Sequence, residues 1–356
     1  MRTPSRGRPW WRSRAFILAV VAVDVLGVAA LAVALTHSTS ANRASTAAGV
    51  AVVRAHPQDP LTQAIVTAAP PAPAPVRHHR SQPSAAAASN SAAVDTSVLA
   101  ASFQQFAASQ PGAVGVALAP LGGGPVVTFG SLQVGHAWST MKVPVLTTVL
   151  AELEQRNGSL GAQGRDLATR ALEASDNSAA EGLFSGLEQS DGGLVAASSA
   201  VQGTLRRAGD GDTVINTAPN SGGFTTWGQS EWSARGEVRF YRALANGCLL
   251  SAPDTGYVLD LMRNVESDQR WGAGSAGIAS SVPVAFKGGW GPEDGAGYLV
   301  RQSAIVGSGD QGFVLHVMAK PSDGAFSTGA AMTSQTAAWV AHNVPAGLST
   351  GHAGCS

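Results

Sequence analysis

An apolar run from Ala15 to Leu35, interrupted only by Asp24, follows a block carrying Arg2, Arg6, Arg8, Arg12 and Arg14 with no acidic residue. At about 1.5 Å of rise per residue, a helix of that length crosses the roughly 30 Å hydrocarbon layer of a bilayer. The arginine block is held on the cytoplasmic side, so the pattern predicts export of everything that follows. Asp24 costs about 2.5–3.5 kcal/mol at mid-span, which the surrounding Val, Leu and Ala offset. Two processing outcomes stay open. A cleaved secretory signal has a shorter apolar region and a small-residue site, for which Ala32-Val33-Ala34 would serve. The length of the run favours an uncleaved anchor: a cytoplasmic tail over 1–14, a transmembrane segment over 15–35, and a remainder on the outer face of the cell membrane.

From 36 to 95 the periodicity disappears. Pro70-Pro71-Ala72-Pro73-Ala74-Pro75 favours an extended polyproline conformation, and Ser84 to Ser89 offers no large side chain to bury. This stretch reads as a disordered tether. His78-His79, flanked by Arg77 and Arg80, reads as a solvated basic patch rather than a metal site.

Periodicity returns with Leu99, Phe103 and Phe106, spaced for one face of a helix. Val114–Ala119 and Val126–Phe129 read as strands joined across Gly122-Gly123-Gly124. A long helical pattern runs from about 139 to 265. Val282–Phe286, Tyr298–Val306 and Phe313–Met318 read as three more strands, and Ala330–Val340 as a closing helix. Strands at both ends of a domain over 96–356, with helices between, predict an α+β fold. The two ends form one antiparallel sheet, and an all-α insertion lies beside it.

Composition narrows the function. Of 356 residues, 23 are Lys or Arg and 23 are Asp or Glu, so the chain lacks the basic surplus of a nucleic-acid binder. Two Cys exclude a disulfide-dense scaffold and a Cys-based zinc ribbon. There is no His-Glu-x-x-His and no Walker loop. Gly272-Ala273-Gly274-Ser275-Ala276-Gly277 matches a dinucleotide fingerprint, but it neither follows a strand nor opens a helix, and reads as a loop. No cofactor or metal is expected.

The chemistry centres on Trp138-Ser139-Thr140-Met141-Lys142. Val145, Leu146, Val149, Leu150 and Leu153 behind it mark a buried helical face, which places Ser139 at a helix N-terminus and Lys142 one turn on. A serine hydroxyl is a weak nucleophile until a neighbouring base takes its proton, and a lysine whose pKa is lowered by burial can do so. His136 has no evident acid partner for a Ser-His-Asp triad and reads as structural.

Ser175-Asp176-Asn177 follows a helical stretch, and Lys287-Gly288-Gly289-Trp290 closes the strand Val282–Phe286. The order Ser139-x-x-Lys142, Ser175-Asp176-Asn177, Lys287-Gly288-Gly289 resembles the active-site serine β-lactamases and penicillin-binding proteins, class A β-lactamases most of all. The resemblance covers about 97–345. It implies a five-stranded antiparallel sheet flanked by helices, and an acyl-enzyme on a β-lactam or a peptidoglycan peptide. Ser139 would be the nucleophile, Lys142 its base, Ser175 a proton relay to the leaving nitrogen, and Lys287 a source of positive potential. Asn177 would bind a substrate amide, Gly289 and Trp290 would border the oxyanion hole, and Arg301 would bind a carboxylate. A Cys248–Cys355 bridge is compatible with the family's packing, as are free thiols.

Two departures matter. Gly288 stands where the family carries a hydroxyl that helps hold a carboxylate. Ala218 takes the place of the glutamate that positions the deacylating water, and Asp210 and Asp212 read as turn acids. The motifs therefore imply acylation with slow deacylation, or, as the competing reading, a binding or sensor module of the same fold.

Overall fold

β1 (Gly112–Pro120) shows how the domain is layered. Its Val114, Val116 and Leu118 alternate to one face of the sheet, while Ala117 and Ala119 alternate to the other. Both sets are buried, so elements cover the sheet on both sides. This computed structural model describes residues 96–218, 223–293 and 297–344, together with His352, Gly354 and Cys355. The expected cytoplasmic tail, anchor and tether lie outside the described residues. Among those described, no helix is long and apolar enough to cross a membrane.

The large side chains of β1 meet α1 (Thr96–Ala108) and α8 (Phe326–Asn343). Phe103 of α1 is fully buried, with its ring 4.9 Å from Trp339 of α8 and 5.9 Å from Phe129. Burial of such a side chain contributes about 2–3 kcal/mol, which docks a helix whose sequence is otherwise Ala-, Ser- and Gln-rich. The sheet order is β2-β1-β7-β6-β5, all antiparallel, with β2 Val127–Gly130, β5 Val284–Pro292, β6 Tyr298–Val306 and β7 Phe313–Pro321. The two ends of the domain thus share one five-stranded sheet. The turn between β1 and β2 uses Gly123 and Gly124 at φ +85° and +120°, a region that glycine enters without strain.

The small side of β1 faces a second core, made largely by the helices between β2 and β5. These are α2 (Lys142–Gln155), α3 (Ala162–Leu172), α4 (Asn177–Asp191), α5 (Leu194–Arg207), α6 (Ala234–Ala245) and α7 (Ala252–Arg263). The stretch is not wholly helical. β3 (Val134–His136) pairs with β4 (Glu231–Ser233) as a separate two-stranded ribbon, with Gly135 opposite Trp232. Three residues are too few to display a period of two, so the pattern could not reveal either strand. β5 also starts later and runs further than its apolar residues suggest. Lys287–Trp290 lie inside the strand, with Lys287 opposite Ser303, because ladder hydrogen bonds continue through glycines that carry no hydrophobic signal.

Cys248 and Cys355 are bridged across 107 residues of sequence, tying the end of the chain to the loop after α6. Gly272–Ser275 forms a 3-10 turn, where Gln302 Oε1 accepts from the Ala273 N–H at 2.7 Å.

Candidate active site

The nucleophile candidate sits on a turn rather than on the α-helix itself. Trp138–Met141 is a 3-10 turn that runs into α2, so Lys142 is the first residue of that helix. The turn is held from three directions. Ala137 N–H donates to Ser230 O at 2.8 Å, Thr140 Oγ1 donates to Ala137 O at 2.7 Å, and β5 backs the turn directly. A Cβ on Gly289 would lie 2.9 Å from Ala137 O, Ser139 N and Thr140 N, so only glycine lets strand and turn approach this closely. Gly291 performs the same service against the Trp138 ring.

The second motif comes from the α3–α4 connection. Ser175 adopts a left-handed φ of +59°, which turns the chain sharply. Asp176 then caps α4: its Oδ1 accepts from Ala179 N–H at 3.1 Å, and its Oδ2 accepts from Arg170 Nη1 at 2.8 Å. Burial alone would raise this carboxyl. The Ala179 and Ser178 N–H groups and Arg170 pull it below its usual range. Asp176 is thus the fastener that orients Ser175 and Asn177, and α2 and α4 share the helical core.

The three motifs meet at Ser175. Lys287 Nζ donates to Ser175 Oγ at 2.8 Å and to Gly288 O at 3.0 Å. Lys142 Nζ lies 3.3 Å from Ser175 Oγ, donates to Asn177 Oδ1 at 2.8 Å, and also donates to Ser175 O. Ser139, Ser175, Asn177 and Trp290 line one pocket of about 80 Å³, with Trp138, Phe224 and Thr225. That is room for a carbonyl and its nearest atoms. Among the described residues Ser139 Oγ takes part in no hydrogen bond, and Lys142 is directed to Ser175 and Asn177. A larger cavity of about 710 Å³ is lined by Val134, Ile215, Asn216 and Glu231 among others, and none of the motif residues faces it.

Both lysines are buried, at 1% and 0% exposure. Removal from water disfavours their charged forms. Burial brings Lys142 down to about 7, against the upward pull of Asp176 and Glu181. Lys287 lies well below its ordinary value, through burial first and the neighbouring Lys142 second. A lysine that is neutral near pH 7 can accept a proton.

Glu181, one helical turn beyond Asn177 on α4, is a site residue that motif spacing did not single out. Burial raises its carboxyl, the nearby Trp227 opposes the rise, and its charge acts on Lys142. The i, i+4 distance from Asn177 was the available signal.

Arg301 does not serve the pocket. It is 0% exposed, donates to the carbonyls of Gly135, His136 and Trp232, and pairs with buried Glu237. Burial would raise the Glu237 carboxyl, but Arg301, His316 and Ser303 bring it to about 2. Side chains alternate along β6, and this position points to the core rather than the cleft. The carboxylate-binding role is therefore corrected to a structural one. His136, in contrast, does have an acid partner: its Nδ1 lies 3.0 Å from Glu293 Oε1, beyond the end of β5. Asp210 is also structural. It is buried and accepts from Trp232 Nε1 and Thr213 Oγ1 at 2.8 Å each. Asp212 and Ala218 are exposed.

The model of the β-lactamase enzyme family matches residues 161–342, just over half of the 356-residue chain. The chain belongs to this family. The matched segment includes Ser175, Asn177 and Lys287 and begins after Ser139 and Lys142. Solved β-lactamase structures extend the likeness upstream. An ancestral class A β-lactamase of Gram-negative bacteria superposes with a TM-score of 0.54 at 20% identity, covering 68% of this chain and 98% of that one. A β-lactamase from Xanthomonas campestris gives 0.56 at 17% identity, with 70% and 98% covered. PBP-A gives 0.54 at 21% identity, with 68% and 94% covered. At such identities these structures establish the β-lactamase fold and leave chemistry to the residues. No curated protein sequence matches the chain.

Proposed function

We propose that the chain is a serine hydrolase that forms an acyl-enzyme at Ser139 on a β-lactam or a related amide or ester. It would work outside the cytoplasm, held at the membrane by residues 15–35. The observation that carries this reading is the meeting of Lys142, Lys287 and Asn177 around Ser175, at the pocket that Ser139 lines. Class A β-lactamases among the structural neighbours support a lactam substrate.

Ser139 Oγ attacks the carbonyl carbon and its proton passes to Lys142, whose lowered pKa suits it as a base. In the free protein Lys142 is held by Ser175 and Asn177, so it shifts toward Ser139 as substrate displaces Asn177 from it. Ser175 returns the proton to the leaving atom. The family resemblance gives the developing oxyanion to the N–H groups of Ser139 and Trp290, and the close approach of strand and turn at Gly289 supports that role.

Deacylation is slow in this reading, because the 212–218 segment presents no glutamate and Asp210 is committed to Trp232 and Thr213. Absence of a positioned base typically costs about 10²–10⁴-fold. A module that is acylated and does not turn over differs from a hydrolase only in this second step. Incubation with a fluorescent penicillin, followed by intact-mass and peptide mass spectrometry, should show one adduct on Ser139 and none in Ser139→Ala. Turnover of nitrocefin at tens per second would refute slow deacylation. Absence of any adduct with lactams and esters would refute the hydrolase.

A further inference from the structure

β5 has two faces of opposite character. Lys287, Gly289 and Gly291 point to the nucleophile turn. Gly288 and Trp290 alternate to the other side, where aromatic rings gather. A Cβ on Gly288 would lie 2.7 Å from Cη2 and Cζ2 of Trp271. The indole of Trp271 thus fills the volume that any side chain at 288 would need. Its ring stands 6.1 Å from Trp290 and 6.1 Å from Phe326, and Trp290 and Phe326 are 5.2 Å apart. All three are half-buried. Trp290 also lines the Ser139 pocket, together with Trp138 and Phe224, whose rings are 5.1 Å apart.

The charges point the same way. Among the described residues, no charged side chain lines that pocket. Burial disfavours the charged forms of Lys142 and Lys287, which donate to Ser175, Asn177 and Gly288, and Arg270 beside Trp271 lies over the Phe286 ring and donates to Arg263 O. Arg301 is turned into the core against Glu237. A carboxylate brought to this wall would lose water and meet indole faces, without a cation to compensate.

We propose that this site prefers uncharged acyl compounds, esters or thioesters that bear an aromatic group and carry no carboxylate near the scissile carbonyl, and that the carboxylate-bearing penicillins acylate Ser139 only slowly beside them. The proposal rests on the acyl-enzyme reading above and names its substrate class. With a thioester, the Ser139 Oγ–carbonyl bond forms, the C–S bond breaks, and the Oγ proton leaves on the thiol. Water then adds to the acyl carbonyl, the ester C–O bond breaks, and the acid departs as Ser139 regains its proton.

The test uses two probes, the phenylacetyl thioester of thioglycolic acid and that of its methyl ester. Each acylation rate is divided by the probe's own rate with hydroxide, which removes the difference in leaving-group reactivity. The neutral probe should acylate Ser139 with a normalised kcat/KM about tenfold or more above that of the carboxylate. Trp271→Arg, which sets a cation beside Gly288, should narrow or reverse that ratio in protein whose circular dichroism matches wild type. Equal rates in wild type, or a faster carboxylate, would overturn this proposal and leave the acyl-enzyme reading standing, as would an unchanged ratio in folded Trp271→Arg. No adduct from either probe would overturn this proposal, and the acyl-enzyme reading falls with it only if penicillin also leaves Ser139 unmodified. If Trp271→Arg does not fold, the wild-type pair decides alone.

Discussion

Lys142→Arg isolates the reasoning about the base. In wild type, burial holds Lys142 at about 7 instead of 10.5. At pH 7 about half of it is then a free amine, where an ordinary lysine would be free in about 3 of 10⁴ molecules. The gain in free base is about 10³-fold. A weaker base is also a poorer one: with a Brønsted slope near 0.5, the lower pKa gives back about 50-fold, leaving a net advantage of roughly 30-fold. Arginine stays protonated at any relevant pH, so it keeps the cation and removes the base. Acylation of Ser139, followed by stopped-flow with a chromogenic ester and by intact mass, should rise tenfold per pH unit up to about pH 7 and then level. Lys142→Arg should be slower by about 10²–10⁴ and lose that profile. The same burial has a sign for stability. The folded pKa lies below the unfolded one, so the folded state binds fewer protons between about 7 and 10.5, and stability rises with pH across that window. A rate flat from pH 5.5 to 8.5, or a folded Lys142→Arg within about threefold of wild type, would refute a neutral lysine as the base.

Three further outcomes follow from the contacts. Glu181→Gln removes an anion that favours the protonated form of Lys142, so the acid limb of the acylation profile should move to lower pH, by about half a unit. Gly289→Ala sets a methyl against three backbone atoms of the nucleophile turn, none of which can swing away; acylation should fall by about 10²-fold with a modest drop in melting temperature. Glu237→Gln strands the buried Arg301 without its counter-charge and should cost about 3–5 kcal/mol in denaturant unfolding, with little change in the pH profile of acylation. In wild type the Glu237 contribution is fully present above its unfolded pKa near 4.5 and is lost as pH falls through about 2, so acid unfolding should begin earlier in the variant.

Sequence alone determined the elements whose signal is local. Phe103 and Phe106 marked α1, the alternation in Val114–Ala119 marked β1, and the apolar runs near 300 and 315 marked β6 and β7. Each buries a face whose period matches its own geometry. The resemblance carried by the motif order placed Ser175, Asn177 and both lysines in one cleft; the local sequence by itself marked only the turn at Ser139 and the cap at Asp176. What depended on distant partners was not legible. Arg301 reads as a carboxylate-binding cation of the cleft until β6 is seen to present it to Glu237, a residue 64 positions away. Gly288 reads as a lost hydroxyl until Trp271, 17 positions earlier, is found in its place. Glu293 gained meaning only when packing set it beside His136, and the i, i+4 spacing of Glu181 from Asn177 pointed to the site without revealing that its charge acts on Lys142. A charge in a chain carries no record of whether water or a counter-ion will surround it; burial decides that, and burial belongs to the assembled fold.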